Sequence, residues 1–340
     1  MNHDKILTIV IPTYNMEALL GRCLDSLLIQ GSTNSDLEVL VIIDGATDHS
    51  SDIAHKYEAR FPEVFCVIDK PNGNYGSCIN KGLAKARGKY IKVLDADDTF
   101  NTMALSQLID FLRNVDTDLV LTNYNICNND GKCKENKTFG VPTQTVLYTT
   151  NLGKLGPHMA MHAVTYKTEN LRIIGYSQTE GISYTDQEWI YRPMTTVKSF
   201  MYLDICLYQY TLGRSGQTMD IKALAKNIHQ NLTVIRNMIS TYNDNSENCD
   251  IYEYLKNRIE SYAEYIYSLY LFNTNIFDVK PLILFDKELK NNCLKLYKYL
   301  GTLYAGKLPF VKLWRFFYYT KDYGINNFFR YRRYRPHWTR

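Results

Sequence analysis

Three closely spaced carboxylates are the strongest chemical signal in the sequence. Asp95, Asp97 and Asp98 follow directly on an apolar run that ends at Leu94. Like charges at this spacing repel one another unless a cation or strong hydrogen-bond donors offset them. Mg²⁺ and Mn²⁺ commonly take one or two carboxylates together with phosphate oxygens. The triplet therefore indicates a divalent-cation site beside a phosphate-bearing ligand; the alternative is an ordinary solvated Asp-rich turn.

Other polar segments have the residue types to bind the rest of such a ligand. Asp44 ends a second apolar run, where a carboxylate can accept an N–H from a pyrimidine ring, although an Asx turn would use the same residue. Gly76 precedes a helical stretch that includes Asn80, and glycines there let an anionic ligand approach backbone N–H groups. Arg214 lies in a polar loop and could neutralise a diphosphate, or simply be solvated.

Asp186 is the candidate general base. Thr185 and Glu188 have the Thr-x-x-Glu spacing of a capping box that opens a helix. A capping box gives Glu188 a structural task and leaves Asp186, in the first turn, free to project outward. The alternative for Asp186 is a favourable contact with the helix dipole, with Glu188 as the second choice of base.

Neither the cysteines nor the histidines form a recognisable metal motif. Eight cysteines are scattered without a Cys-x-x-Cys pair, which is typical of reduced thiols and favours a cytoplasmic setting. His158 and His162 are four apart, but no Glu accompanies them and Gly156-Pro157 disfavours a zinc-binding helix. Packing or contacts to an acceptor are the favoured roles of the two histidines.

The elements that must position these residues alternate between two periodicities. Apolar runs typical of buried strands cover 7–11, 38–43, 64–68, 90–94 and 119–122, and helical spacing covers 16–30, 50–60, 77–87 and 103–113. This alternation predicts an α/β fold, a Rossmann-like and mostly parallel sheet flanked by helices. Ligands bind beyond the carboxyl ends of such strands, where all the polar segments above begin.

From about residue 125 onward the regular alternation of strand and helix patterns ends. Residues 127–133 contain an Asp-Gly turn signal that predicts a surface hairpin. Helical patterns begin at 221, and residues 252–272 form a long Tyr-rich stretch that predicts a packed helix. We therefore expect a catalytic domain over 1–220 and a helical C-terminal region over 221–340.

Composition adds a charge asymmetry. Of the 340 residues 45% are hydrophobic and 22% are charged, which excludes a disordered or fibrous chain. The sequence contains no run of about 18 apolar residues, so we expect no membrane-spanning helix. The N-terminus lacks the pattern of a cleavable signal. Residues 306–340 carry a net charge of +8 with twelve aromatic residues, while the rest carries −4. This tail suits an anionic membrane surface; packing on the preceding helices is the alternative, and no nucleic-acid partner is expected.

The ordered set of motifs resembles the inverting family-two glycosyltransferases with a GT-A fold, of the kind that build bacterial polysaccharides. The resemblance spans roughly residues 5–220. It rests on Ile11-Pro12-Thr13-Tyr14-Asn15, Asp44-Gly45-Ala46-Thr47-Asp48, the segment 80–91, Leu94-Asp95-Ala96-Asp97-Asp98 and Thr185-Asp186.

The resemblance implies a role for each matching residue. The residues expected to bind the nucleotide-sugar donor are Pro12, Thr13, Asn15, Asp44, Gly76, Asn80, Asp95, Ala96 and Arg214. Asp97 would hold Mn²⁺ or Mg²⁺ on the diphosphate, and Asp186 would deprotonate the acceptor. Thr185 stands where the family usually has Glu.

The implied activity is transfer of a sugar, with inversion, from a nucleotide diphosphate sugar to a hydroxyl of a glycan or lipid-linked acceptor. A UDP-sugar is the expected donor, and the expected place is the cytoplasm, peripheral on the inner face of the cell membrane. Nucleotidyl transfer and a non-catalytic module that binds nucleotide sugars or glycans stay open. A dinucleotide oxidoreductase and a P-loop phosphotransferase lack their glycine-rich motifs here.

Overall fold

The chain folds as two compact units. The structure, a computed structural model, describes residues 5–29, 35–128, 131–213, 221–245, 249–273, 276 and 278–319. The first unit is Met1–Arg214 and the second is Ser215–Arg340. Within the described residues, no helix combines the length and the apolarity needed to cross a bilayer.

A ten-stranded sheet organises the first unit. Its strands are β1 (Lys5–Thr13), β2 (Leu37–Asp44), β3 (Phe65–Lys70), β4 (Gly88–Val93), β5 (Thr99–Phe100), β6 (Leu119–Cys127), β7 (Cys133–Lys137), β8 (Leu147–Tyr148), β9 (Val164–Lys167) and β10 (Ser199–Thr211). The helices are α1 (Leu20–Asp25), α2 (Ser50–Arg60), α3 (Asn74–Lys85), α4 (Thr102–Arg113), α5 (Thr168–Ile173) and α6 (Asp186–Trp189), with 3₁₀ helices at Thr149–His158 and Arg192–Thr196.

The sheet is mixed but mostly parallel, as the sequence predicts. The strand order is β3-β2-β1-β4-β9-β6-β10-β5, with β7 paired to β6 and β8 to β10. Strand β9 runs antiparallel to both β4 and β6, so that β1, β2, β3, β4, β6 and β10 all point the same way. Their carboxyl ends therefore lie at one edge of the sheet.

Burial explains why these strands form the centre of the unit. Every residue of β2 is buried, and β1 and β4 are buried over most of their lengths. Strands covered on both faces need apolar residues at consecutive positions, which is the pattern that the sequence has there.

The first helix is shorter than the helical spacing over 16–30 predicts. Helix α1 covers only Leu20–Asp25. The backbone N–H of Met16 donates to Ser50 Oγ, and that of Glu17 donates to the Asp48 carboxylate, so the first residues are held against the start of α2. Leu27 is buried in a turn that follows the helix. Most of the apolar residues over 16–30 therefore lie on the buried side of a short helix and of the turns before and after it.

The second unit is helical. Its helices are α7 (Ile221–Asn243), α8 (Tyr252–Phe272), α9 (Lys280–Asn292), α10 (Leu294–Leu300) and α11 (Phe310–Tyr319). The bounds of α8 confirm the predicted Tyr-rich helix. In α11, Arg315 is buried and its guanidinium binds the Asp286 carboxylate at 2.7 Å and lies over the Tyr297 ring. Arg315 therefore does not belong to the exposed basic charge that we expected of residues 306–340; residues 320–340 lie outside the described part of the chain.

Candidate active site

Four carboxylates lie close enough to Tyr210, near the carboxyl end of β10, for their charges to act on its hydroxyl. Burial raises the pKa of the Tyr210 hydroxyl, and the charges of Asp95, Asp98, Asp186 and Asp97 raise it further. Three of these residues follow β4 in a single turn, and Asp186 begins α6 almost ninety residues later. The fold thus brings the Asp-rich turn and the candidate base close enough for their charges to act on the same side chain.

Asp95 is held by two tyrosines. Its Oδ1 accepts a hydrogen bond from the Tyr75 hydroxyl at 2.8 Å, and its backbone N–H donates to the Tyr208 oxygen at 3.1 Å. Burial raises the pKa of Asp95 to about 7, and the charges of Asp97 and Asp186 add to the rise. Asp95 therefore gains a proton near neutral pH unless a cation stabilises its charged form.

Asp98 is the most deeply buried acid of the turn, with 1% of its surface exposed. Its two oxygens accept hydrogen bonds from the Thr211 N–H at 2.7 Å and the Tyr208 hydroxyl at 2.8 Å. Burial, followed by the charges of Asp95 and Asp97, raises the pKa of Asp98 to about 8. Asp98 thus ties the turn to β10.

Asp97 lies at the outer side of the turn. It is half-buried, and its backbone carbonyl accepts a hydrogen bond from the Arg22 guanidinium at 2.8 Å. This contact attaches the turn to α1 and places a cationic side chain next to the residue that we predicted to hold the metal.

His162 is a member of the site that sequence reasoning missed. Its ring stacks on Tyr210 at 4.3 Å and meets the edge of Tyr208 at 4.5 Å. Burial, with a smaller contribution from the charge of Lys92, lowers the pKa of His162 to about 3, so the imidazole is neutral. Its Nδ1 is buried and has no hydrogen-bond partner. The histidine lies in the turn before β9, not on a helix shared with His158, whose side chain is outside the described atoms.

Ligand atoms of Asp95, Asp98 and His162 all lie within 4.8 Å of one another. Two carboxylates are the oxygen donors that Mg²⁺ and Mn²⁺ prefer, and the neutral imidazole adds a nitrogen donor. The buried, unpaired Nδ1 and the raised pKa values of both acids are what a cation at this point would relieve. This donor set fits a divalent metal.

Lys92 fixes the backbone that carries His162. Its side chain is fully buried in β4, and its Nζ donates to the carbonyls of His162 at 2.8 Å and Val164 at 3.1 Å. Burial lowers the pKa of Lys92 to about 7. A polar residue inside an apolar strand pattern was the only sequence signal for this role.

The segment before α6 corrects one expectation. Thr185 makes no side-chain capping bond and has φ −84° and ψ 2°, whereas N-cap residues are usually extended. Instead, its backbone and side-chain oxygens accept from the Gln178 amide, at 2.9 and 2.8 Å, and the buried Glu188 carboxylate accepts from Thr179 N at 2.8 Å and Thr179 Oγ1 at 2.7 Å. The predicted capping box is therefore wrong: both residues hold the 178–179 segment.

Asp186 is half-buried at the start of α6. Its Oδ2 accepts a hydrogen bond from the Gln187 amide at 3.1 Å. Tyr184, two residues earlier, has φ +64°, a conformation that a bulky side chain rarely adopts. Strained backbone of this kind is found mainly where the surrounding structure imposes it, often at functional sites.

Gly76 and Asn80 attach α3 to that same segment. A Cβ on Gly76 would lie 2.0 Å from the Thr179 carbonyl oxygen, so only glycine allows the close approach. Asn80 Nδ2 donates to the Gln178 carbonyl at 2.9 Å, and Asn80 Oδ1 accepts from the Gln178 N–H at 2.8 Å. The two residues thus support the loop that precedes Asp186.

The expected base-binding residues lie at the ends of β1 and β2. Asn15 has φ +52° and its Oδ1 accepts from Thr47 N at 2.8 Å. Asp44 is buried, and its Oδ1 accepts from the Lys70 ammonium and from Gly73 N. Pro12 is half-buried, whereas Thr13 and Ala96 are buried. Arg214 lies outside the described residues.

Comparison with known proteins gives a consistent picture. The sequence model of glycosyl transferase family 2 matches residues 8–190. An uncharacterized glycosyltransferase of Mycoplasma pneumoniae is 29% identical over 68% of this chain and 77% of its own length. The poly(ribitol-phosphate) beta-glucosyltransferase of Bacillus spizizenii is 27% identical over 63% of this chain. The matched region covers only 33% of that relative's length.

Solved structures share the fold. The crystal structure of S. aureus TarS 1-349 has a TM-score of 0.62 at 17% identity and covers 96% of this chain and 89% of its own. The same TarS piece in complex with UDP-GlcNAc has a TM-score of 0.54 at 18% identity, with the same coverage. These likenesses identify the architecture as a GT-A fold.

Proposed function

Because this chain belongs to glycosyl transferase family 2, we propose that it transfers a sugar from a UDP-sugar to a hydroxyl of a glycan or lipid-linked acceptor, with inversion at the anomeric carbon. The observation that carries the proposal is the cluster of Asp95, Asp98 and His162 at the carboxyl edge of the sheet, near enough to Asp186 for its charge to act on Asp95. Cell-surface polysaccharide synthesis is the setting that we propose, consistent with the relative that is named for a poly(ribitol-phosphate) acceptor.

In the proposed reaction Asp186 is the general base. The acceptor hydroxyl attacks the anomeric carbon from the face opposite the nucleotide, and Asp186 takes its proton as the new bond forms. The bond between the anomeric carbon and the diphosphate oxygen breaks in the same step, which gives inversion. The half-buried position of Asp186, close enough for its charge to raise the pKa of Asp95, supports this role.

A divalent cation, Mn²⁺ or Mg²⁺, is the proposed cofactor. Asp97 would hold it, as the family resemblance implies, together with donors from the cluster of Asp95, Asp98 and His162. When bound, the cation would supply positive charge to offset the charge that develops on the departing diphosphate. The imidazole nitrogen favours Mn²⁺ over the harder Mg²⁺.

The donor-binding residues that we propose are those at the strand ends. Pro12, Thr13, Asn15 and Asp44 would contact the base and ribose. Asp95 would lie near the ribose with Ala96 beside it, and Arg214 would face the diphosphate. The fold shared with a structure that contains UDP-GlcNAc supports a UDP-sugar. Gly76 and Asn80 would act through the loop that they support.

The decisive experiment measures UDP released from UDP-sugars in the presence of Mn²⁺ and candidate acceptors. We expect Asp186→Asn to lower turnover by about 10²–10⁴-fold, the usual contribution of a positioned base, while donor binding by calorimetry is retained. Glu169→Gln is the matched control, because Glu169 is also an acid in the first turn of a short helix. Full turnover of Asp186→Asn would remove Asp186 from the mechanism.

The same assay separates the alternatives. A nucleotidyltransferase would release pyrophosphate from a nucleoside triphosphate, and a binding module would bind the nucleotide sugar without releasing UDP. Either result would replace glycosyl transfer as the function.

We also propose that the C-terminal region docks the protein on an anionic membrane surface from the cytoplasmic side. On α11, Lys312 and Phe316 are exposed, while Trp314 and Arg315 face inward. Co-sedimentation with vesicles that contain an anionic lipid tests this: the double variant Lys312→Glu, Phe316→Ser should bind less, and unchanged binding would count against docking through α11. A point variant is preferable to truncation because Arg315 packs inside the helical unit.

A further inference from the structure

Two thiols face each other across the hairpin that joins β6 and β7. Cys127 ends β6, Cys133 begins β7, and the two are register partners in the antiparallel pair. Their Sγ atoms are 2.6 Å apart. Directly opposite residues of antiparallel strands have Cα atoms about 4.5–5.5 Å apart, within the range that a disulfide spans.

The hairpin holds the thiols in place without any covalent link. Asn128 N donates to the Lys132 carbonyl at 3.0 Å, and Lys132 N donates to Asn128 Oδ1 at 2.9 Å, directly inside the cysteine pair. Because the two sulfur atoms are already closer than van der Waals contact, only a small movement of the side chains brings them to the S–S bond length. Little conformational entropy is therefore lost when they join.

The two sulfurs differ in access. Cys133 is exposed, whereas Cys127 is buried. Burial raises the pKa of the Cys127 thiol to about 12, which makes it a poor first nucleophile. An oxidant from solution would therefore meet Cys133 first and leave Cys127 to complete the bond.

We propose that Cys127 and Cys133 form a reversible disulfide and that a low-molecular-weight disulfide such as oxidised glutathione is the oxidant. The Cys133 thiolate attacks one sulfur of the small disulfide, forms a mixed disulfide and releases one small thiol. Cys127, losing its proton, then attacks Cys133 Sγ and releases the second small thiol. Two protein thiols are oxidised and one small disulfide is reduced to two thiols.

This modification would take place next to the strand that carries the candidate active site. Both sulfurs contact Gln209 Oε1, at 3.8 and 3.4 Å, and Gln209 lies between Tyr208 and Tyr210 on β10. Cys206 is a competitor, since the Gln209 amide also reaches its sulfur at 3.9 Å. Its pairing with Cys133 is the rival outcome.

The experiment equilibrates the full chain in buffers of increasing ratio of oxidised to reduced glutathione, blocks free thiols with N-ethylmaleimide, and digests with trypsin without reductant. Lys132 lies between the two cysteines, so cleavage leaves peptide 114–132 and the dipeptide Cys133-Lys134. We expect the two to be joined in oxidising buffer and separate after dithiothreitol treatment.

Two variants make the result specific. Cys133→Ser should abolish the linked peptide, and Cys206→Ser should leave its yield unchanged. Complete alkylation of both Cys127 and Cys133 in the most oxidising buffer would overturn the proposal, as would a Cys133–Cys206 link. Neither readout depends on glycosyl transfer, so the proposal can fail or succeed independently of the proposed function.

Discussion

Glu38, at the amino end of the parallel strands, and the acids of the turn after β4, at the carboxyl end, lie in opposite surroundings. At the amino end, Glu38 is 2% exposed and accepts hydrogen bonds from Thr8 Oγ1 at 2.6 Å and Arg87 N at 2.8 Å. Its other oxygen binds the Arg87 guanidinium at 2.6 Å. The chain itself supplies the cation and the donors, so this acid can stabilise the sheet.

In the turn that follows β4, Asp95 and Asp98 are gathered without such compensation, whereas Asp44 at the end of β2 has the Lys70 ammonium as its partner. Burial and neighbouring carboxylates are the largest influences on the raised pKa values of Asp95 and Asp98, and hydroxyl and N–H donors only oppose them. An acid that has its own cation in the fold can stabilise the folded state, whereas acids that are crowded together without one leave a place for a charged ligand. Whether a buried acid has a cationic partner in the fold therefore distinguishes Glu38, which supports the sheet, from Asp95 and Asp98 in the candidate site.

The largest effect should come from removing a carboxylate at the carboxyl end. We expect Asp97→Asn to lower Mn²⁺-dependent turnover by about 10²–10³-fold, because charge stabilisation on the leaving diphosphate is lost. The free energy of unfolding without metal should stay the same or rise, since repulsion with Asp95 and Asp98 is relieved. UDP release and urea unfolding measure the two quantities.

The control for Asp97→Asn is the same change of charge at the other end of the sheet. If Asp97→Asn keeps full turnover, or if it lowers the free energy of unfolding as the loss of a structural acid does, Asp97 and Glu38 do not differ in role.

Glu38→Gln should show the reverse pattern, with a smaller effect. Replacing the carboxylate weakens its bonds to Thr8 and Arg87, which we expect to lower the free energy of unfolding by about 1–3 kcal/mol. The Arg87 side chain is 55% exposed and stays solvated, which limits the loss. Turnover per folded molecule should not change. Urea denaturation and UDP release on the same preparation give the comparison, and a fall in turnover beyond the unfolded fraction would contradict it.

These two ends were not equally visible in the sequence. Asp95, Asp97 and Asp98 follow an apolar strand directly, so local pattern and the rule for parallel sheets predict where they lie. The sequence shows Glu38 only as a polar residue at the start of a strand. Its partners are distant in sequence: the β1–β2 pairing brings Thr8 to it, and the β1–β4 pairing brings Arg87.

Long-range partners also explain the errors within the site. Thr185 and Glu188 have the spacing of a capping box, but the 178–179 segment, brought in by the turn before them, takes both side chains. His162 gave no local signal beyond its spacing from His158. Its place beside Asp98 depends on the antiparallel β9 between β4 and β6, a connection that the alternation of strands and helices does not predict.

His162→Phe sharpens the comparison by testing which donors hold the cation. Phe keeps the stack on Tyr210 but removes the unpaired nitrogen, so we expect the affinity for Mn²⁺ to fall about tenfold, with the fold retained. Isothermal titration with Mn²⁺ measures this. His55→Phe is the control, because His55 is a solvent-accessible histidine bound to Glu58 and Asp69. An unchanged affinity would leave Asp97 to hold the cation without the imidazole.

The smallest effect is on the pH dependence of stability. The folded pKa values of Asp95 and Asp98, about 7 and about 8, lie above the usual value of an unfolded Asp. The folded chain therefore binds more protons than the unfolded chain from about pH 4 to about pH 8, and these acids make the free energy of unfolding fall as pH rises through that window. Lys92 and His162, with lowered pKa values, contribute the opposite slope.

Because these slopes partly cancel, the measurement must be a difference. We expect the free energy of unfolding in EDTA to fall more steeply between pH 5 and pH 8 in the unmodified chain than in Asp95→Asn, by on the order of 1 kcal/mol. Glu38→Gln should keep the slope of the unmodified chain, since it changes only the amino end. Saturating Mn²⁺ should remove the difference at high pH, because a bound cation favours the charged carboxylates. If the free energy of unfolding has the same pH slope in the unmodified chain and in Asp95→Asn, then the fold compensates the charge of Asp95 as it does that of Glu38. The contrast between the two ends of the sheet would then rest on geometry alone.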